Sequence, residues 1–218
     1  MSLCRISIII YHRFFYSKKK FIVRENTFSP KYIPDAEIFA ENMPFHEGLE
    51  FLEIGTGIGV ISIMAALKGA SKVVSTDISP DAVENTRENI LKHQLGERVE
   101  VRCGDMYDPI QMDEKFDLIF TNLPILYVDQ DMEFSIFERS MCDSGYESYK
   151  RYITEGHKYL KLGGRIMLGF STTYGRYNVI EEIASKAGYE LNLVYQEFDE
   201  RIPELTAYME IFELKRHV

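Results

Sequence analysis

The densest group of chemistry-bearing residues is Glu53-Ile54-Gly55-Thr56-Gly57-Ile58-Gly59. Glycine reaches positive φ without steric cost and lets a ligand approach the main chain, so glycines at alternate positions build a binding turn. An open parallel sheet binds its ligands at such turns, where a strand ends and a helix opens. Asp77, with Ile78 beside it, ends the next apolar run 24 positions after Glu53. An acid there accepts bonds from both hydroxyls of a ribose. Gly104-Asp105 and Thr121-Asn122-Leu123-Pro124 end the two runs that follow. The dinucleotide fingerprint is Gly-x-Gly-x-x-Gly and needs a small residue at position 60. Val60 stands there and Gly59 precedes it. The Gly-x-Gly-x-Gly spacing argues against NAD.

These turns need strands to carry them. Apolar runs ending at Ile54, Asp77, Cys103, Asn122 and Phe170 read as five buried strands, alternating with helical patterns. Ser79 caps one helix, with Pro80 at its first position and Gly96 closing it. Another is expected from Tyr146 to Leu162, stopped by Gly163-Gly164, and a third over 177–188. Two last strands, 190–198 and 206–216, have no helix between them and pair antiparallel. The pattern predicts an α/β fold with about seven strands, mostly parallel, an antiparallel last strand and helices on both faces. Ahead of it, strands over Arg5–Phe15 and Lys20–Arg24 make an amino-terminal β-hairpin extension (residues 1–27) on a body of residues 28–218. Pro34 suits the first turn of a helix that follows.

Composition excludes several classes. With 218 residues, 45% hydrophobic and 27% charged, the chain has the profile of a soluble globular domain. No apolar run spans a bilayer, so no membrane partner is expected. Cys4, Cys103 and Cys142 form no pair and no zinc pattern, which suits a reducing cytoplasm. The five histidines have no metal spacing, and no metal is expected. Cys142 and Ser144 lack an adjacent base, so no covalent nucleophile is assigned. The net charge is −9, yet residues 1–31 hold seven basic groups and one acid, leaving −15 on the rest. A long nucleic-acid track would be repelled by that body. The run Lys18-Lys19-Lys20 is read as a solvated hairpin turn, and as the one feature that favours an RNA partner.

The glycine loop with its preceding acid resembles the first motif of class I S-adenosylmethionine (SAM)-dependent methyltransferases. Asn122-Leu123-Pro124-Ile125 resembles the Asn-Pro-Pro-Tyr motif of amino and amide N-methyltransferases. Residues 33–41 are similar to that family's Pro-x-Thr-Glu stretch, and residues 143–168 to its Asp-Gly-Leu-x-x-Tyr helix and following strand. From Phe28 to Phe170 the chain is similar to HemK-like methyltransferases, which include release-factor glutamine methyltransferases and small-domain RNA base methyltransferases. The resemblance implies a Rossmann-like fold and a SAM site of Glu53, Gly55, Thr56, Gly57, Gly59, Asp77, Ile78, Asp105, Met106 and Asn122. Asp105 would accept the adenine amine, with Met106 on the ring. It also implies that the Asn122 side chain and the Leu123 carbonyl, with Pro124 behind them, accept the hydrogens of the nitrogen to be methylated. Leu123 replaces a proline and Ile125 replaces the aromatic that stacks on a planar acceptor. Tyr127, two residues on, is a candidate for that stack. Three functions remain open: methylation of a protein amide or small planar amine, methylation of an RNA base, and SAM binding without catalysis.

Overall fold

The computed structural model describes residues 12–16, 19–30, 35–129, 133–135, 137–201 and 206–217. A hairpin comes first, β1 His12–Tyr16 against β2 Lys19–Val23, with Tyr16 opposite Lys19. Arg5 to Tyr11 of the expected first strand lie outside the described residues, as do Lys18 and Pro34. Lys19 and Lys20 belong to β2, not to the turn. Then follow α1 Asp35–Asn42, β3 Glu50–Ile54, α2 Val60–Leu67, β4 Lys72–Asp77, α3 Pro80–Lys92, β5 Val99–Cys103 and β6 Phe116–Thr121. A small parallel pair, β7 Leu126–Val128 and β8 Cys142–Ser144, precedes α4 Glu147–Glu155, β9 Leu160–Phe170, α5 Tyr177–Lys186, β10 Tyr189–Asp199 and β11 Ala207–Arg216.

Seven of these strands form one sheet in the order β10-β11-β9-β6-β3-β4-β5, and β11 alone runs against the others. Counted within the sheet, the order is 3-2-1-4-5-7-6, a doubly wound arrangement with its last strand inserted antiparallel. The parallel strands are continuous apolar runs because both faces are covered. Phe51, Val73, Leu118, Phe120 and Met167 face a core with α1, α2 and α3, while Leu52, Ile54, Val74, Ile119 and Leu168 face one with α4 and α5. The order reverses between β3 and β6, and the crevice of such a switch point is the place for a ligand.

Two helix ends differ from expectation. α3 stops at Lys92, and Gln94 takes the left-handed conformation (φ 58°) in place of Gly96. The helix expected to reach Leu162 ends at Glu155, a 3₁₀ turn covers Gly156–Tyr159, and β9 begins at Leu160. The glycine pair therefore lies inside the strand. Between the pairs Phe116↔Leu160 and Leu118↔Arg165 β9 gains residues on β6, so Gly163 (φ +78°) and Gly164 shape a bulge instead of a helix stop. A Cβ on Gly164 would stand 2.9 Å from the Phe116 carbonyl oxygen, which is why that position needs glycine.

The hairpin is fastened by two buried asparagines of α3. Asn89 accepts from the Ile22 amide (2.7 Å) and donates to the Ile22 and Ile58 carbonyls (2.9 Å each). Asn85 accepts from the Arg24 amide (2.8 Å) and donates to the Ile22 carbonyl (2.8 Å). Phe21 and Val23 complete the joint inside the first core. Asn89→Ala leaves the Ile22 amide and the Ile58 carbonyl without their side-chain partner, at a cost of roughly 1–3 kcal/mol per unsatisfied group, while the Ile22 carbonyl keeps its bond from Asn85. The expected outcome is a lower unfolding free energy by about 2 kcal/mol or more in urea, with faster amide exchange in β2. Unchanged protection of β2 would mean that the asparagines do not hold the hairpin.

Candidate active site

One cavity of about 1350 Å³ opens at the carboxyl ends of β3, β4, β5, β6 and β9. That exceeds the roughly 300–1,000 Å³ of an ordinary small-ligand site, so it has room for two molecules. Its lining contains every residue assigned to the site from the sequence except Gly59 and Tyr127. Gly59 is the cap of α2 and lies outside that lining.

Glu53 makes the floor. It is 2% exposed, and its Oε2 accepts from Thr56 Oγ1 (3.0 Å), Ser62 N (3.0 Å) and Ser62 Oγ. Those bonds tie the end of β3 to the glycine loop and to the first turn of α2. Gly55, Gly57 and Gly59 all have positive φ (76°, 59° and 85°), the conformation their spacing predicted. A Cβ on Gly59 would meet Thr86 Cγ2 at 2.9 Å, whereas one on Gly57 would meet nothing within 4 Å. Gly59 thus serves packing against α3, and Gly57 leaves room on the open side of the loop.

Asp77 braces the same loop from β4. Its Oδ2 accepts from the Gly57 amide (2.9 Å) and its Oδ1 from the Ser79 amide (2.9 Å), which leaves further lone pairs for a ligand. Ile78 is exposed beside it. Burial raises the Asp77 carboxyl above the usual range, against the pull of those two amides. Asp105 stands at the rim, exposed, and pairs with Arg151 Nη1 at 3.1 Å. Arg151 also binds Asp108 and Glu155, so this side of the mouth is held by one guanidinium that the sequence did not single out. Met106 is buried with φ 50°, and its carbonyl accepts from Thr76 Oγ1 (2.9 Å).

The other end of the cavity is built on β6. Asn122 follows the last strand residue, Thr121, whose hydroxyl donates to the Ile54 carbonyl at 2.8 Å. Asn122 Nδ2 donates to Asp35 Oδ2 (2.8 Å), a residue of α1. Two tyrosines around the start of α4 set the loop after it. Tyr149 donates to the Leu123 carbonyl (3.0 Å), and Tyr146 to the Ile125 carbonyl (2.6 Å). The Leu123 carbonyl therefore has one lone pair committed and one left. Tyr127 does not face the cavity. Its ring lies under the Arg176 guanidinium (4.2 Å) and edge-on to Tyr146 (5.1 Å). Phe28, Phe39, Phe134, Phe137, Phe170 and Tyr174 are the aromatic residues in the cavity lining. His46, His93, His157 and His217 are not part of the lining, His157 is exposed in the 3₁₀ turn, and no metal-ligand cluster exists among the described residues.

The floor favours a ligand that brings positive charge and hydrogen-bond donors. Each of Glu53, Asp77 and Asp35 lines the cavity, and burial raises all three. Burial lifts Glu53 from 4.5 to about 7, against the hydrogen bonds from Ser62 and Thr56. A carboxyl raised in the folded state binds a proton that the unfolded chain has released, so its contribution to stability falls as pH rises from about 4.5 to about 7. Glu53→Gln removes that dependence. Measured without ligand, the variant should gain on the wild type across that window by up to the order of 3 kcal/mol. Parallel pH–stability curves for the two proteins would show that Glu53 ionises as it does in water.

The sequence matches the family model of the methyltransferase small domain over residues 18–188. The release factor glutamine methyltransferase of Aquifex aeolicus is 30% identical over 196 residues, covering 82% of this chain and 67% of that protein. A bifunctional methyltransferase of Rickettsia bellii is 32% identical over 155 residues, and there the chain spans only 27% of the relative's length. The ribosomal protein L11 methylase of Lactobacillus delbrueckii subsp. bulgaricus has the same fold, with a TM-score of 0.61 at 18% identity, over 88% of this chain and 82% of that one. With a doubly wound sheet, a glycine loop at its switch point and this match over most of its length, the chain belongs to the methyltransferase small domain family.

Proposed function

We propose that the chain is a SAM-dependent methyltransferase acting on an amide nitrogen of a protein, with a glutamine side chain as the favoured acceptor. One observation carries the reading. A single cavity runs from the Glu53–glycine loop to Asn122-Leu123-Pro124, so a nucleoside cofactor and a polar acceptor can meet within it. The Aquifex relative, a release factor glutamine methyltransferase, supports the choice of acceptor. The acidic body, −15 outside residues 1–31, weighs against a polyanion.

The donor set fits SAM. Among the described residues the bonds to Glu53 end on Oε2, so Oε1 is available to an ammonium group at the floor. Asp77 has lone pairs for ribose hydroxyls, and Asp105 with Met106 lines the side where the base would lie. Bound SAM supplies a methyl carbon already activated by the sulfonium. The residues of the chain then have to hold and align an acceptor. An amide nitrogen is a weak nucleophile because its lone pair is delocalised. Asn122 Oδ1 and the remaining lone pair of the Leu123 carbonyl accept its two hydrogens, direct the lone pair, and stabilise the positive charge that builds on nitrogen. Alignment of the acceptor with the methyl carbon supplies much of the rate. The body from residue 28 to 218 is the catalytic part in this reading, with the hairpin as a fixed flank.

Purified protein incubated with radiolabelled SAM and a bacterial release factor should place label on a glutamine side chain; ribosomal protein and tRNA serve as competing acceptors. Asn122→Ala should keep SAM affinity within a few-fold and slow transfer by about a hundredfold, the scale of one lost oxyanion-hole-type group. Label appearing on tRNA alone would replace the protein acceptor with an RNA base. Transfer at the wild-type rate by Asn122→Ala would remove the nitrogen acceptor altogether.

A further inference from the structure

The acceptor end raises a question of direction. An asparagine amide presents a carbonyl oxygen or an NH₂ group, and the two take opposite partners. A methyl acceptor that brings N–H needs the oxygen. Nothing in the local sequence 121–125 decides which end faces the cavity, because the main chain and the apolar neighbours are indifferent to the flip.

Asp35 decides it. The carboxylate lies 2.8 Å from Asn122 Nδ2, and its other oxygen accepts from the Ala36 amide at 2.7 Å. Ionised, Asp35 has no hydrogen to give, so the NH₂ end of Asn122 faces it. The identity of the two amide atoms thus follows from the partner's chemistry. No donor among the described residues reaches Asn122 Oδ1, and both residues line the cavity. We infer that Asp35 is a positioning residue, which locks the Asn122 amide with its carbonyl toward the methyl acceptor and so commits the site to an acceptor that donates a hydrogen bond. The inference rests on Asn122 being the group that faces the acceptor.

Other restraints on this segment act on its main chain. Tyr149 and Tyr146 hold the Leu123 and Ile125 carbonyls, and Thr121 holds the strand end. They fix where Asn122 starts and leave its amide free to rotate. Asp35 reaches it from a different element, 87 residues away in the chain, at the first turn of α1. The bland alternative is a local role for Asp35, closing the start of α1 through its bond to Ala36. The two roles predict different results.

The test has two arms, and the first needs no acceptor. In ¹⁵N-labelled protein the Asn122 side-chain amide should give a resolved pair of proton signals, assigned by their loss in Asn122→Ala, with slowed solvent exchange. Asp35→Ala should shift both signals and speed their exchange, while SAM affinity by calorimetry stays within about twofold. Signals and exchange rates untouched by Asp35→Ala would overturn the inference. The second arm measures methyl transfer from SAM to purified release factor. Asp35→Ala should lower kcat by roughly tenfold to a hundredfold, the scale of one hydrogen bond to a charged group, with KM for SAM unchanged. Asp35→Asn should fall between, because an amide at position 35 can present either end. In the Asn122→Ala background Asp35→Ala should add no further loss, since there is no amide left to orient. Equal losses in both backgrounds, accompanied by equal drops in Tm, would make Asp35 a helix-start residue only. A wild-type protein that transfers nothing to release factor would count against the proposed acceptor, and the first arm would still decide the role of Asp35.

Discussion

The site depends on a carboxylate buried where a strand hands over to a helix. Glu53 is 2% exposed, and it survives there because Thr56 and Ser62 come back to it from the loop and the helix it precedes. A buried acid without partners would be costly. Satisfied in this way, it determines how tightly the chain turns between β3 and α2, and the three glycines supply the left-handed conformations that so tight a turn demands. Asp77 repeats the arrangement from the neighbouring strand, since one of its oxygens holds the Gly57 amide. Two acids therefore build the loop that the proposed cofactor would occupy, and each keeps acceptor capacity for the ligand.

The two halves of the cavity are built by different means. At the cofactor end, polar groups sit on strand termini and are joined by short-range bonds. At the acceptor end, Asn122-Leu123-Pro124 lies at the end of β6 and is shaped by partners from elsewhere: Asp35 of α1, Tyr146 at the cap of α4, and Tyr149 within it. Tyr146 and Tyr149 are fully buried and pack edge-on to one another and to Phe170. Their aromatic bodies belong to the second core and their hydroxyls to the site. The rigidity of the acceptor loop is thereby linked to the packing of α4 and β9 on the sheet. This division separates the part of the proposed site that would choose the acceptor from the part that would hold the cofactor.

Electrostatics favours the same reading. Glu53 and Asp77 have their acidity weakened by burial, so each gains from a cationic or hydrogen-donating ligand. Asp105 at the rim is different, since Arg151 already neutralises it. A ligand that contacts Asp105 has to share it with a guanidinium, and its contribution to affinity is correspondingly smaller than that of Asp77.

The sequence by itself determined the fold class, the glycine loop, the acids at three strand ends and the position of Asn122. Each of these is local: glycine spacing expresses backbone φ, apolar runs express burial on both faces, and a polar residue at the end of such a run lies at the edge of the sheet. Where local signals competed, the reading went astray. Gly163-Gly164 marks a bulge inside β9, because pairing with β6 outweighed the usual role of glycine at a helix end. Gly96 likewise gave way to Gln94. Only the tertiary structure decided which groups orient Asn122 and the loop after it, the proposed acceptor site. Asp35 and Asn122 are 87 residues apart, and Tyr149 is 26 residues from the carbonyl it holds. Tyr127, close in sequence to the motif, turned out to be committed to Arg176 and Tyr146. Spacing along a chain carries no information about such pairs, because they meet only when helices from opposite faces of the sheet close over the ends of its strands.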